Sequence, residues 1–328
     1  MINTIPYLPL DPSKSLIPSL WLGTWSLGGE GFGQHDLRHS REVISHAFEN
    51  GVAHFDTAGF YAHGKSEALL DSELSSVRKQ VFYSTKGGIH WSGRHVVHDG
   101  SPTRLRQTLM ESLDRLNTDY LDLYQLHWPD PKTSITESIQ SLQSFQKEGL
   151  IRYWGVGNLS SETLKRELPD AQRIPHQVHF NPIHHDLETL QAGHENQRCL
   201  NCVISPLEQG LLSGSSPEID ALGKGDVRRR NPYYKTPSIR PLLQALQDAC
   251  DVHPLSLLVL LWILGHPTVD VVIPGPRKRS QLETLLTLPD FIQEHGFLDN
   301  WHAALETTFG QESLSLLQSL QQHVTVSK

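Results

Sequence analysis

The chain has 328 residues, 38% hydrophobic and 20% charged, enough apolar material for one large buried core. Its 28 Lys and Arg against 36 Asp and Glu give a formal charge of −8, which leaves no electrostatic footprint for nucleic acid or an anionic membrane surface. The longest apolar run, Leu255 to Leu264, is too short to span a bilayer, and the first residues lack the basic-then-apolar layout of a secretory signal, so a cytoplasmic protein is expected.

Met1 to Ser19 is short and Pro-rich and reads as an N-terminal extension. From Leu20 onward, short β-type runs alternate with helical patterns. Leu20 to Trp25 precedes a helix over Ser40 to Glu49, Ala53 to Asp56 precedes Ser66 to Leu74, and Val81 to Thr85 precedes Thr103 to Leu116. Leu121 to Leu126 is followed by Ile135 to Glu148, Ile151 to Val156 by Ser161 to Glu167, and His176 to Phe180 by Glu188 to Gln197. Asn201 to Ser205 and Ile239 to Ala249 form the seventh unit, Val269 to Ile273 and Gln281 to Leu286 the eighth. Strands alternating with helices imply parallel units, and this number of them suits an α/β fold of the (β/α)8 TIM-barrel type, one domain over 1–328. The seventh crossover, 209–237, is rich in Gly, Ser, Pro and charge and is expected to be a mobile loop over the barrel mouth. Residues 311–328 read as a modest amphipathic C-terminal helix and tail.

Three cysteines, Cys199, Cys202 and Cys250, are an odd and sparse set that fits a reducing compartment. Cys199 and Cys202 sit three apart on an expected strand and so point to opposite faces, which favours buried small residues over a redox pair. The histidines at 176, 179, 184 and 185, and those at 90, 95 and 98, lack metal-ligand spacing, so no metal is expected.

Barrel enzymes place their chemistry at the carboxyl ends of strands. Asp56 closes the second strand, Tyr61 lies just beyond it, Lys86 closes the third and His127 the fourth. A carboxylate, phenol, ammonium and imidazole on neighbouring strand ends can hand a proton to a carbonyl oxygen while a hydride arrives from elsewhere. A free tyrosine, with a pKa near 10, needs help to exchange a proton at neutrality. An ammonium about 4 Å away is worth up to about 4 kcal/mol at an effective dielectric near 20, roughly three pKa units, so Lys86 is expected to draw Tyr61 toward neutrality. Singly, each residue has a plainer reading: a turn cap for Asp56, a rim aromatic for Tyr61, a solvated terminus for Lys86, a core histidine for His127. Hydride needs a donor that no side chain supplies, which implies a nicotinamide cofactor. No G-x-G-x-x-G opens a helix, so Gly155-Val-Gly157 and the run Gly28 to Gly33 read as turns rather than a Rossmann fingerprint.

These residues resemble the catalytic tetrad of the aldo-keto reductase superfamily in order, type and strand position. The resemblance runs from about Leu20 to Leu286. It takes in Gly23-Thr24-Trp25, Leu113-Asp114-Arg115-Leu116, Gly155-Val156-Gly157-Asn158, Gln177, Ser205-Pro206-Leu207, Gly210-Leu211-Leu212 and Ile273-Pro274-Gly275. It implies an NADP(H)-dependent oxidoreductase acting on an aldehyde or ketone, sugars included, with Tyr61 as general acid and base, Lys86 and Asp56 tuning it, and His127 orienting the carbonyl. It further implies that Asn158 and Gln177 hold the nicotinamide carboxamide and that Ser205, Leu207, Gly210 and Leu211 line the pyrophosphate. Gly23, Thr24, Trp25, Gly275 and Gln281 are also implied at the cofactor, and Trp25, Trp91 and Trp128 at the wall of the substrate pocket. Phosphate sites after strands seven and eight are common in barrels, and Arg277, Lys278 and Arg279 there favour NADP(H) over NAD(H).

The chain departs from the family pattern at Gly157, where a serine usually stands, at Ile204, where an aromatic often stacks on the nicotinamide, and at Thr284-Leu285, which replace a Glu-Asn pair that contacts adenine. The general layout looks closer to bacterial sugar and aldehyde reductases than to mammalian aldose reductases. A rival reading is a redox-sensing regulatory subunit resembling the potassium-channel β subunits, but no obvious partner segment accompanies the tetrad. The expected partner is a small carbonyl substrate, with no nucleic acid and no membrane.

Overall fold

An antiparallel pair, Tyr7–Asp11 (β1) and Ser15–Pro18 (β2), precedes the barrel. The structure is a computed structural model that describes residues 7–11, 15–18, 20–33, 36–93, 95–250, 252–297 and 300–323. Leu22–Gly23 (β3), His54–Asp56 (β4) and Phe82–Gly87 (β5) begin a parallel sheet. A small hairpin, Ile89–Ser92 (β6) and His95–His98 (β7), follows β5. The sheet continues through Leu121–Leu126 (β8), Ile151–Gly157 (β9), Ile174–His179 (β10), Cys199–Ile204 (β11) and Val271–Ile273 (β12) in chain order. It closes on itself: the Trp21 and Gly23 N–H groups donate to the carbonyls of Val272 and Pro274 at 3.0 and 2.8 Å. The eight strands and the helices between them make the expected (β/α)8 barrel.

Parallel strands covered on both faces read as apolar runs, and β8 is buried along its whole length. β3 is shorter than the expected Leu20 to Trp25, because the Thr24 N–H and hydroxyl both turn to the Asp56 carbonyl and Trp25–Leu27 winds into a 3₁₀ turn.

Helix starts follow their caps. Leu37–Glu49 (α1) begins three residues before the expected Ser40, because the Asp36 carboxylate accepts from the Arg38 N–H. Lys65–Leu74 (α2) follows a left-handed Gly64, and Pro102–Arg115 (α3), Ile135–Lys147 (α4) and Ser161–Glu167 (α5) are capped by Ser101, Ser134 and Ser160. Leu187–His194 (α6) stops short of the expected Gln197, since Asn196 and Gln197 take positive φ. Ile239–Ala249 (α7) matches its expected bounds, and Arg279–Leu286 (α9) begins two residues early. The run Leu255–Leu264, given no secondary structure from sequence, is a helix (α8) buried on nearly every side. Leu288–Glu294 (α10) and Trp301–His323 (α11) close the chain, α11 kinking at Gly310.

The seventh crossover is a string of 3₁₀ turns at Glu208–Ser213, Ile219–Ala221, Val227–Arg230 and Pro232–Lys235. It reaches across the mouth, where the Val227 N–H donates to the Gly31 carbonyl at 2.8 Å. Its root is held by the buried Glu208, whose carboxylate accepts from Asn181 (2.7 Å) and Asn231 (2.6 Å) and lies 2.7 Å from His179 Nε2. Burial alone would raise this carboxyl, but those partners hold it below the ordinary glutamate range.

Candidate active site

Asp56, Lys86 and His127 come from the ends of β4, β5 and β8, and Tyr61 from the turn after β4. The structure brings all four together. Lys86 Nζ donates to Asp56 Oδ1 at 2.6 Å, to the Thr57 carbonyl at 2.8 Å and to Tyr61 Oη at 3.4 Å. Asp56 Oδ2 accepts from Ser84 Oγ at 2.9 Å and from Gln177 Nε2 at 2.6 Å, and Ser84 in turn accepts from Gln125 Nε2. Asp56 and Lys86 are each only 3% exposed, so each charge depends on the other and on these polar neighbours. Burial would depress the Lys86 ammonium, yet Asp56 and Tyr61 together hold it above the usual lysine range.

Tyr61 departs from expectation. Burial pushes its phenol above 10, and the pull of Lys86 in the other direction is opposed by the Asp56 carboxylate. A neutral ion pair beside a buried phenol lowers its pKa far less than a lone ammonium would.

His127 is fixed by its N–H to the Gly87 carbonyl (2.9 Å), and its ring meets Tyr61 edge to face, with centroids 5.8 Å apart. Burial, with Lys86 and His98 nearby, drives its pKa well below 6.5, so the imidazole is neutral at physiological pH and keeps one N–H to donate.

Aromatic rings surround this group. Trp25 stacks on Tyr61 at 6.0 Å, and Trp91 stacks on Phe60 at 4.8 Å. Trp128 lies farther out, 41% exposed beside His98. Phe60 was not among the residues singled out from sequence, nor were Ser84 and Gln125. Polar side chains on inward strand positions beside Asp56 and Lys86 were the available signal for the last two.

The residues expected at the cofactor divide. Asn158 (φ 58°) and Gln177 sit beside the tetrad, each spending its amide nitrogen within the chain, Asn158 on the His127 carbonyl at 2.9 Å and Gln177 on Asp56. Ser205 (φ 50°), Leu207 and Gly210 (φ 93°) form the turn after β11, whereas the Leu211 side chain belongs to the core. Gly23 and Gly275 meet at the barrel seam, and Thr24 is wholly buried with its hydroxyl on Asp56. A cavity of about 470 Å³ is lined by Phe32, Asp226, Arg228, Arg277 and Lys278 among others. Arg277 and Arg228 lie 5.7 and 5.9 Å from the Phe32 ring. Arg279 instead pairs with Glu283 (3.0 Å) and Glu42 (3.4 Å). Gln281 accepts from the Arg277 N–H.

At the departures, a Cβ on Gly157 would stand 2.9 Å from the His127 carbonyl oxygen, so the missing serine follows from close strand approach. Thr284 bonds its own helix, and Leu285 is buried. The three cysteines are free and buried, burial raising Cys199 to about 12. Among the described residues no cluster of three or more His, Cys, Asp or Glu suits a metal, and no helix is long and apolar enough to cross a membrane.

A (β/α)8 barrel carrying Asp, Tyr, Lys and His on adjoining strand ends is the architecture of a carbonyl-reducing oxidoreductase. The chain belongs to the aldo/keto reductase family, which it matches over residues 19–293, and it is accordingly a nicotinamide-dependent oxidoreductase of aldehydes and ketones. It is 30% identical to the aldo-keto reductase YhdN of Bacillus subtilis over 273 residues, covering 80% of this chain and 82% of that protein. It is 28% identical to an NADH-specific methylglyoxal reductase of Escherichia coli, covering 84% and 90%. The glycerol dehydrogenase of Gluconobacter oxydans superposes with a TM-score of 0.75 at 26% identity, covering 95% and 98% of the two chains.

Proposed function

We propose that this enzyme interconverts an aldehyde or ketone and its alcohol with NADP(H), Tyr61 exchanging the proton. The observation that carries this reading is the buried contact of Lys86 Nζ with both Asp56 (2.6 Å) and Tyr61 Oη (3.4 Å), with neutral His127 alongside. The donor set suits the cofactor: with their nitrogens committed, Asn158 and Gln177 each have a carbonyl oxygen to offer a carboxamide NH₂. Arg277 and Lys278 on the 470 Å³ cavity suit the 2′-phosphate of NADP. The methylglyoxal reductase relative, by its name NADH-specific, argues the other way, so both cofactors belong in the test.

When bound, the reduced nicotinamide supplies the hydride to the carbonyl carbon. Neutral His127 donates a hydrogen bond that orients the carbonyl oxygen. Tyr61 Oη delivers its proton to that oxygen as the alkoxide forms, and Lys86 stabilises the phenolate left behind until solvent returns the proton. Asp56 keeps Lys86 charged and pointed at Tyr61. In oxidation Tyr61 runs the same transfer backwards.

The test is NADPH and NADH oxidation against aldehydes, ketones and sugars, run beside Tyr61→Phe with cofactor binding measured by tryptophan quenching. Tyr61→Phe is expected to lower kcat by roughly 10²–10⁴-fold while binding NADPH normally. Turnover that survives the substitution would remove Tyr61 as the proton donor. The glycerol dehydrogenase and methylglyoxal reductase relatives make small polyols and dicarbonyls natural members of the panel.

A further inference from the structure

Tyr61 sits on an unusual stretch of backbone. Ala62 (φ 48°), His63 (φ 55°) and Gly64 (φ 85°) follow it in left-handed conformation, two of them without the freedom of glycine. Something must hold this turn, since such residues persist only where their surroundings over-determine them.

Behind the turn lies an ion pair that the chemistry above does not use. Glu67, on the first turn of α2, is 0% exposed. Its Oε2 accepts from Arg115 Nε at 2.6 Å, and its Oε1 accepts from the Thr85 hydroxyl at 2.6 Å. Thr85 is the residue before Lys86. Arg115, at the end of α3, packs its side chain against the backbone on both sides of Tyr61: a Cβ on Gly59 would fall 2.6 Å from Arg115 Nη2, and one on Gly64 2.5 Å from Arg115 Cδ. Ser112 Oγ and Glu111 complete the guanidinium's surroundings. One carboxylate thus ties the tyrosine turn, through Arg115, to the strand that carries the lysine.

We propose that Glu67 and Arg115 are positioning residues for proton transfer, a brace that sets Tyr61 Oη against Lys86 Nζ. The inference rests on the reading of Tyr61 as proton donor. Neither residue touches substrate or cofactor; each acts through the turn it immobilises. Glu67 divides its two oxygens between Arg115 Nε and the Thr85 hydroxyl, a charge-assisted link that lysine at 115 or neutral glutamine at 67 cannot reproduce in full.

The test uses the full chain carrying Glu67→Gln, Arg115→Met or Arg115→Lys, with Tyr61→Phe in parallel. We expect Arg115→Met and Glu67→Gln to lower kcat for carbonyl reduction roughly 10- to 100-fold, the scale of a small misplacement of a reacting group. NADPH affinity by tryptophan quenching should stay within about twofold, the solvent deuterium isotope effect on kcat should rise, and Arg115→Lys should recover part of the lost kcat. If Arg115→Met does not fold, Glu67→Gln and Arg115→Lys carry the same test. Wild-type kcat in these two variants would overturn the proposal. So would a loss of kcat matched by an equal loss of NADPH affinity with an unchanged isotope effect, which marks general destabilisation. Full activity in Tyr61→Phe would instead remove the reading on which the brace depends, whatever the Arg115 variants do.

Discussion

Tyr61 keeps its proton through neutrality because burial outweighs what the Lys86–Asp56 pair can offer. A phenol held above its ordinary pKa is the right form for donating and the wrong form for accepting. If Tyr61 donates the proton, kcat for carbonyl reduction should be flat across neutral pH and fall only above the ordinary tyrosine range. Alcohol oxidation should rise about tenfold per pH unit on the alkaline side of neutrality, since it draws on the scarce phenolate. Rate profiles in both directions check this, and an oxidation rate that levels off near neutrality would contradict it. At the cavity, Arg277→Ala is expected to raise the KM for NADPH roughly tenfold and that for NADH far less, as the loss of one charge-assisted contact to phosphate requires. Equal effects on the two cofactors would place the 2′-phosphate elsewhere. The convergence of Asp56, Tyr61, Lys86 and His127 was legible in sequence because they fall at or just beyond neighbouring strand ends. The Tyr61 pKa was not, because it depends on how deeply the phenol is buried and on how fully Asp56 neutralises Lys86. Arg279 shows a related limit: its charge and its i,i+4 partner Glu283 are visible in the chain, but the second contact, to Glu42 on α1, is not.

Among the elements, α8 shows what periodicity can and cannot reveal. An amphipathic helix announces itself by alternating faces, and α7 was readable to the residue. Leu255–Leu264 is apolar on every side, so it carries no period, and only its burial between α11, the turn Glu208–Ser213 and β12 makes sense of it. Leu258 is completely buried there. Leu258→Ala should cost about 2–5 kcal/mol, read as a fall in the denaturation midpoint with an unchanged KM for carbonyl substrate. A shift within experimental error would mean that the surrounding helices collapse to fill the space. The helix starts make the complementary point, since Asp36 moves α1 three residues upstream of where apolar spacing alone places it. The crossover was legible as long and irregular, but its tether was not. Glu208 reads as one more surface carboxylate until His179, Asn181 and Asn231 are seen around it.

For the molecule as a whole, buried histidines are expected to weaken the fold as pH falls below neutrality. His54 and His176 are pushed by burial to about 3 and about 4, and His127 well below 6.5. The unfolded chain binds protons at these groups from pH 6.5 downward while the fold refuses them, so their contribution is fully present above 6.5 and is lost progressively as pH falls toward the folded values. At pH 5, His54 and His176 should each have cost about 2 kcal/mol, and the denaturation midpoint should drop accordingly between pH 7 and 5. His176→Asn and His54→Phe should flatten that dependence; a midpoint that is level over this range would show that the rings are paired in some other way.

The seam between β3 and β12 bears on how the enzyme comes into being. Ser26 Oγ donates to the Gly275 carbonyl across 249 positions of chain, and the Trp21 and Gly23 bonds span as far. Closing so large a loop costs about 5 kcal/mol in chain entropy, recovered only when both ends of the sheet are present. Asp56, Tyr61, Lys86 and His127 all lie in the part of the chain made first, whereas the residues proposed for the cofactor lie mostly in the part made last. A ribosome therefore makes the proposed acid, Tyr61, before most of the residues proposed for the cofactor. Until β12 is made, β3 lacks the partner that closes the ring, so the four clustered side chains and the residues proposed for the cofactor can share one rim only once both ends of the sheet are present.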